Sequence, residues 1–519
     1  MTTLTDPPKE SFRLSMLIYD TRYRSTTFQI IALIGFLTLI GWLISNTAQN
    51  LSDLGKEPSF GFLKEPAGYD INQRLIEYTN RSPHMRAALA GLMNTLLVAV
   101  MGCALATVLG VVIGVLRLSK NWLIAKIMTV YVEMFRNVPV LLWIVLFMAV
   151  LIETLSPPGA FKSGEASFSL WGTVAISNQG IFIPRATFAD HSWLFIAGIV
   201  ASIAGFRYIG KRAAAIQEAT GEIKNTLPAK LAALILPSLL IFLVLSAVSN
   251  RNEQSFVAIS QDSVTSLAEL QDANGRIDYC HSGGLARSLT GLRYLTENEV
   301  NFRRKNYFGE GQALTSMTAA RCQLILVPSD EAESIAASIQ SSVVKNNVVS
   351  VFDSGLTEGK AIEVEVPYIA PKGIPRFEGG THMSNSLIAL WLALSLYTAA
   401  FIAEIVRAGI MAISKGQTEA AGALGLRPGR IMRLVVLPQA LRVIIPPLIS
   451  NYLNLTKNSS LAIAVGYMDI TGTLGGITLN QTGRELEALL LLMLIYLIIS
   501  LSISLIMNWY NERVKLVER

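Results

Sequence analysis

The chain has 519 residues, of which 51% are hydrophobic and 15% charged, and a formal net charge of +6. It is too apolar and too sparsely charged for an ordinary soluble protein, and reads as a polytopic membrane protein. The basic surplus is scattered, with no Lys/Arg run among aromatics as nucleic-acid binding would require, and three cysteines without CxxC or CxxH spacing are too few for a disulfide scaffold and fit no zinc motif.

In chain order, Lys9, Arg13, Arg22 and Arg24 precede the first apolar run. That run is long and no small-residue cleavage site clearly follows, which predicts an uncleaved anchor rather than a removed signal peptide. Crossing a bilayer takes roughly 20 apolar residues of helix. Such runs lie near 27–44, 90–116, 128–153, 193–209, 229–248, 385–405, 441–465 and 486–508, eight predicted spans. Arg13/Arg22/Arg24 stand before the first, Arg117/Lys120/Lys126 join the second and third, and Arg207/Lys211/Arg212 join the fourth and fifth. Arg427/Arg430/Arg433/Arg442 join the sixth and seventh, and Arg513/Lys515/Arg519 follow the eighth. With eight crossings all these clusters fall on one side, which predicts that both termini are cytoplasmic. Against that rule, the 45–89 loop carries Lys56, Lys64, Arg74, Arg81 and Arg86 on the outside.

Residues 249–383 read as soluble, with the short apolar run Cys322–Pro328 and helix-like Ala313–Arg321 and Ser329–Ser342. Strands alternating with helices predict a small α/β domain outside the cytoplasm. The predicted fold is therefore an all-α polytopic membrane protein with an α/β insert. Its parts are 1–89 (N-terminal segment, first span and following loop), 90–248 (spans two to five), 249–383 (the insert) and 384–519 (spans six to eight with the loop 408–440). Gly205 through Gly210-Lys211 has phosphate-loop spacing, but Arg212 replaces the Ser/Thr that would hold Mg²⁺, so it reads as a basic cap on a span. His84, His191, His281 and His382 are scattered and form no metal or catalytic constellation.

The loop after the sixth span carries the most specific pattern. The first half of the segment Ser414–Ala440 predicts a short helix with Glu419 in its first turn and Gly425 as its stop, Arg427-Pro428-Gly429 a turn, and Ile431–Leu437 a second amphipathic segment. By periodicity alone this is a helical hairpin on a membrane surface. Its residue order, Glu419-Ala420-Ala421, Gly425, Val435, Leu437-Pro438, resembles the signature loop of ABC importer permeases. Gly416-Gln417, Pro438–Arg442, Ala403–Gly409, Asn454–Ala462, Asn480–Gly483, Asn94-Thr95-Leu96 and Glu133–Pro139 resemble the polar amino acid branch, the general L-amino acid (AapQ/BztB-like) permeases of bacteria.

That resemblance implies a type I permease fold in a bacterial inner membrane, with 249–383 in the periplasm. It also implies a coupling helix seated in a groove of a separate ATPase, with Glu419 as charged anchor, Ala420, Ala421 and Gly425 allowing close approach, and Gly416, Gln417, Leu437 and Pro438 in the same contact. ATP and Mg²⁺ belong to that partner, and this chain binds no cofactor. The other partners implied are a second permease chain or a copy of this one, and a periplasmic amino-acid-binding protein.

Ionisable residues inside a membrane are costly and mark candidate pathway positions. Glu404 and Arg407 stand three apart on one helix face, as an intrahelical pair or as pathway groups. Lys457, Ser459 and Ser460 are donors for a substrate carboxylate or for helix contacts; Asp469 meets an amino group or faces water; Arg136 lines the pathway or the cytoplasmic edge. In the insert, Ser266–Leu270, Cys280–Gly284 and Ala320–Cys322 resemble one lobe of a periplasmic amino-acid-binding protein, whose cysteines at these positions imply a Cys280–Cys322 bridge. The turn Gly284-Leu285-Ala286 lacks the hydroxyls that grip ligand in those proteins, which favours docking or gating over capture. The relatives resembled usually lack so large an insert, so 253–370 stand out as the departure. A secondary transporter would use similar polar groups without an ATPase, and an amino acid receptor would use the insert without the loop.

Overall fold

The computed structural model describes residues 18, 21–53, 55, 59–76, 78–188, 193–220, 225–248, 253–261, 263–272, 276–283, 286–342, 347–357, 362–369 and 374–514. Lys9, Arg13, Lys56, His191, Gly284, Leu285, Lys515 and Arg519 lie outside these residues. Among them, eight helices are long and apolar enough to cross a membrane: Tyr23–Asp53, His84–Leu116, Val140–Ser163, Leu194–Gln217, Leu227–Leu245, Asn385–Met411, Pro428–Val465 and Glu485–Glu512. Contacts divide the chain into two compact units, 1–99 with 409–519, and 100–408.

In the first unit, α1 (Thr21–Asp53) is exposed along nearly its whole length. A one-turn helix Gly61–Lys64 and an irregular segment lead to α2 (His84–Leu116). Ala67, Ile71 and Tyr78 bury against Ala87 and Ala90 at the start of α2. Ala88, Ile470, Leu474, Ala488 and Leu492 form a second core.

The second unit holds the remainder of α2, then α3 (Trp122–Asn137), α4 (Val140–Thr154) and α5 (Pro158–Ser163). The predicted third span, 128–153, is therefore two helices and not one. A proline ring clashes with helical backbone in the residue before it, and Val138 ahead of Pro139 is extended at φ −104°, ψ 131°. The predicted fourth span, 193–209, also runs further, as α6 (Trp193–Thr220), so Lys211 and Arg212 lie within a helix. Gly205 is helical too and lies against Ala233 of α7 (Leu227–Val248), a packing role. Ser202 and Ser238 hydroxyls meet 3.3 Å apart across this hairpin.

Between α7 and α12 (Asn385–Met411) lies the α/β insert. Its sheet orders β6 (Phe302–Phe308), β5 (Ile277–Gly283), β7 (Leu324–Pro328), β4 (Glu253–Ser260) and β8 (Val348–Thr357). Side chains alternate faces along a strand. Phe256, Ala258, Leu324 and Leu326 bury with Leu289, Leu292 and Leu295 of α9 (Ala286–Glu297). Val257, Ile259, Ile325 and Val327 bury with α10 (Glu310–Thr318) and α11 (Ser329–Gln340) on the opposite face, giving three layers. A six-residue α8 (Leu267–Asp272) precedes β5. Cys280 on β5 and Cys322, just before β7, form a disulfide with Cα atoms 5.5 Å apart and a sequence separation of 42. Closing a loop of that size stabilises a fold by about 2–4 kcal/mol. Cys322→Ala should therefore lower the unfolding midpoint of the lobe, read by hydrogen exchange on β5 and β7; unchanged exchange would deny the bridge that role.

Two small sheets join the insert to its connectors. β3 (Arg185–Phe188) pairs with β9 (Ile362–Glu365), while β2 (Gly180–Ile183) lies between β1 (Ala175–Ser177) and β12 (Thr381–Ser384). β10 (Tyr368–Ile369) and β11 (Phe377–Glu378) form a short hairpin between them. β12 runs directly into α12, where Asn385 donates to the Asn178 carbonyl at 2.6 Å.

Candidate functional site

Following α12, the loop folds as α13 (Lys415–Ala423), α14 (Pro428–Ile431) and a wide π turn, Met432–Val436, which continues into α15 (Leu437–Asn458). α13 ends on Gly425, which has φ +79°. Its amide donates to the Gly422 carbonyl at 2.9 Å and that of Leu426 to Ala421 at 3.3 Å, so the last carbonyls are satisfied as in a Schellman cap. Pro428 then opens α14 at a position where its missing N–H costs nothing.

Gly416, Gln417, Glu419, Ala420 and Gly425 are exposed, Ala421 is buried, and Leu424 is 83% exposed. Leu437 is exposed and Pro438 sits in the first turn of α15. One expectation is corrected: α13 begins at Lys415 and has no acidic residue in its first turn, so Glu419 stands one turn later. It is an exposed residue beyond the reach of the helix dipole.

Polar pathway candidates fall into two groups. In the second unit Glu404 Oε1 accepts from Arg407 Nη2 at 2.5 Å and Nε at 3.2 Å, and Oε2 is bonded by Arg117. Arg136 lies 4.0 Å from the same oxygen with its guanidinium over the Phe401 ring at 5.3 Å. Three arginines thus converge on one carboxylate. Arg117, which sequence reasoning counted only toward topology, is the most buried of them, its side chain 12% exposed. Gly114 of α2 makes this possible, since a Cβ there would sit 2.7 Å from the Ala403 carbonyl.

In the first unit Asp469 is fully buried; Oδ1 accepts from the Gly472 amide at 2.8 Å, and Tyr496 lies 3.4 Å from Oδ2. Asn94 donates to the Gln73 and Met468 carbonyls at 2.6 and 2.8 Å, while Thr95 accepts from the Ile470 amide at 3.1 Å. Gly91 completes this packing, because a Cβ there would overlap Thr473 and stand 2.7 Å from the Asp469 carbonyl. Asn94-Thr95 were legible only as a string of residues; their partners Met468 and Ile470 are 374 and 375 positions away. Lys457 is exposed, and the hydroxyls of Ser459 and Ser460 donate to the carbonyls of Thr456 and Lys457, both at 2.8 Å. The structure thus brings Arg136 to Glu404, and holds Lys457, Ser459, Ser460 and Asp469 in the other unit.

Residues 379–516 match the family described as binding-protein-dependent transport system inner membrane component. The glutamate/glutamine/aspartate/asparagine transport system permease protein BztB of Rhodobacter capsulatus is 45% identical over 100% of both chains. The general L-amino acid transport system permease protein AapQ of Rhizobium johnstonii is 35% identical over 98% of this chain and 96% of that one. A solved amino acid ABC transporter with histidines covers 83% of this chain and 95% of its own at 14% identity, with a TM-score of 0.35. Coverage of this extent overturns the expectation that 253–370 set the chain apart, since both relatives are matched across the insert. With identity sustained along the full length, the chain belongs to this family and is a multi-pass inner-membrane permease subunit of an ABC-type amino acid importer.

Proposed function

We propose that this subunit imports polar L-amino acids, is driven by a separate ATPase docked on α13, and receives substrate from a periplasmic binding protein. The exposed, glycine-capped α13, with Glu419 and Ala420 on its surface, is the observation that carries the coupling role. ATP and Mg²⁺ sit on the partner, and a second permease chain or a copy of this one completes the pathway. The placement of the basic clusters supports cytoplasmic termini with 249–383 in the periplasm. Arg136, Glu404, Lys457, Ser459, Ser460 and Asp469 are the pathway candidates. Relatives named for glutamate, glutamine, aspartate and asparagine, or for general L-amino acids, support the substrate class. The insert acts in docking or gating.

The test is ATP-dependent uptake in proteoliposomes containing the co-purified subunits. Glu419→Lys should abolish uptake and weaken retention of the ATPase on the permease. Uptake on an ion gradient without ATP would overturn the reading.

A further inference from the structure

One end of the connector sheet β1-β2-β12 carries a feature that the translocation reading leaves unused. Leu170 and Trp171 stand at φ +49° and +56°, and Gly172 follows at φ +81°. Glycine and asparagine fill such left-handed turns readily, whereas two bulky side chains in succession are strained there. The turn is nonetheless closed. Ser169 and Val174 exchange both backbone hydrogen bonds, at 2.7 and 3.1 Å, and the Thr173 hydroxyl donates to the Leu170 carbonyl at 2.7 Å. The two side chains add little to the packing beneath, since Leu170 is 62% and Trp171 98% exposed. Strain kept without a packing gain points to a role for these side chains outside their own chain.

Strand register places the turn. At one end of the sheet Ser384, the last residue before α12, pairs with Gly180, which pairs with Ser177. That end is tied to two spans: the Asn178 amide donates to the carbonyl of Ser156, two residues beyond α4, at 3.1 Å, and Asn385 of α12 donates to the Asn178 carbonyl at 2.6 Å. At the other end Ala175 pairs with Phe182, and the turn lies beyond Ala175. Leu170 and Trp171 are therefore carried away from the spans, which favours a soluble partner over the bilayer surface. Their base is fixed by Phe168, which packs edge-on against Phe161 and Phe377 with ring centres 5.5 and 6.1 Å apart. No charged residue occurs between Glu165 and Arg185. Aromatic side chains and a dearth of charge mark the centres of protein interfaces, where a single Trp often carries much of the affinity.

We propose that Leu170 and Trp171 are the anchor by which a soluble periplasmic amino-acid-binding protein docks on this permease, their side chains entering an apolar hollow on its surface. The proposal rests on the reading that such a protein delivers the substrate, and the family matched by residues 379–516 is described as binding-protein-dependent. A turn preset by its backbone and mounted on packed aromatic rings has little left to order when the partner arrives.

The test is ATP hydrolysis by the permease–ATPase complex in nanodiscs, titrated with the ligand-loaded amino-acid-binding protein of the same transport system. Trp171→Ala should raise the half-saturating concentration about tenfold or more, as expected for loss of a central interface Trp, and leave the rate without binding protein unchanged. The double variant Leu170→Asn, Trp171→Gly gives the turn its preferred residues. It should unfold at the same or a higher temperature than the unsubstituted complex yet lose stimulation, which a purely structural turn would not do. Equal stimulation of Trp171→Ala and the unsubstituted complex would overturn the docking assignment alone, whereas no stimulation of the unsubstituted complex would overturn the binding-protein reading with it. A changed number of permease chains per complex in Trp171→Ala would assign the turn to a second copy instead, and an unfolding midpoint lowered in nanodiscs but not in detergent would assign it to the bilayer.

Discussion

Gly425→Val is expected to disconnect ATP hydrolysis from uptake while the spans still insert. At φ +79° the residue occupies the left-handed region, which costs an L-residue roughly 1–2 kcal/mol, and a β-branched side chain is among the least tolerated there. The strain falls on two hydrogen bonds, Gly425 to Gly422 and Leu426 to Ala421, that end α13 and aim the chain toward Pro428. If the cap gives way, α13 loses its fixed angle to α14, while a Cβ at Gly425 would itself meet nothing within 4 Å. If α13 seats in a partner's groove as proposed, it tolerates such a change poorly, and ATP-driven uptake should fall about tenfold or more, in line with that strain. Asparagine adopts the left-handed conformation more readily, so Gly425→Asn should retain much of the activity. Uptake per inserted molecule in proteoliposomes checks both variants, and a fully active Gly425→Val would remove the cap from the coupling mechanism.

The ease of reading this loop reflects the range of its physics. Gly425 and Pro428 act on their own backbone within a few residues, so their positions announce a helix end and a helix start. Apolarity is less informative. The run 128–153 has the length of a span, yet Val138-Pro139 breaks it, because hydropathy counts side chains and ignores backbone conformation. Apart from the Cys280–Cys322 bridge that the resemblance implied, long-range partners were beyond reach. Thr95 meets Ile470, and Arg185 meets Glu365 across 180 positions, and neither pairing leaves a local trace in the sequence. The short apolar run Cys322–Pro328 did announce a strand, β7, whose Leu324 and Leu326 enter one core of the insert and Ile325 and Val327 the other. What the sequence could not convey was how widely the insert is shared, and the full-length match to BztB makes it a property of this group of permeases.

Glu404→Ala should be the most damaging single change in the second unit. Its carboxylate faces Arg117, Arg136 and Arg407, and removing it leaves three guanidinium groups facing one another. Arg117 suffers most, because its side chain is 12% exposed and water can replace little of the lost contact. Stripping one partner from a buried ion pair costs about 3–5 kcal/mol, and the partial exposure of Glu404, 27%, places the expected loss nearer 2–3 kcal/mol. Glu404→Gln keeps a hydrogen-bond acceptor without the charge and should fall between the two. Adding Arg117→Leu to Glu404→Ala removes the stranded cation and supplies apolar contact beside Ile113 and Ala403, so the double variant should be more stable than Glu404→Ala alone. Unfolding midpoints in detergent, followed by fluorescence-detected size exclusion, decide this. If the two losses simply add, Glu404 is not the counter-ion that holds Arg117 inside the protein.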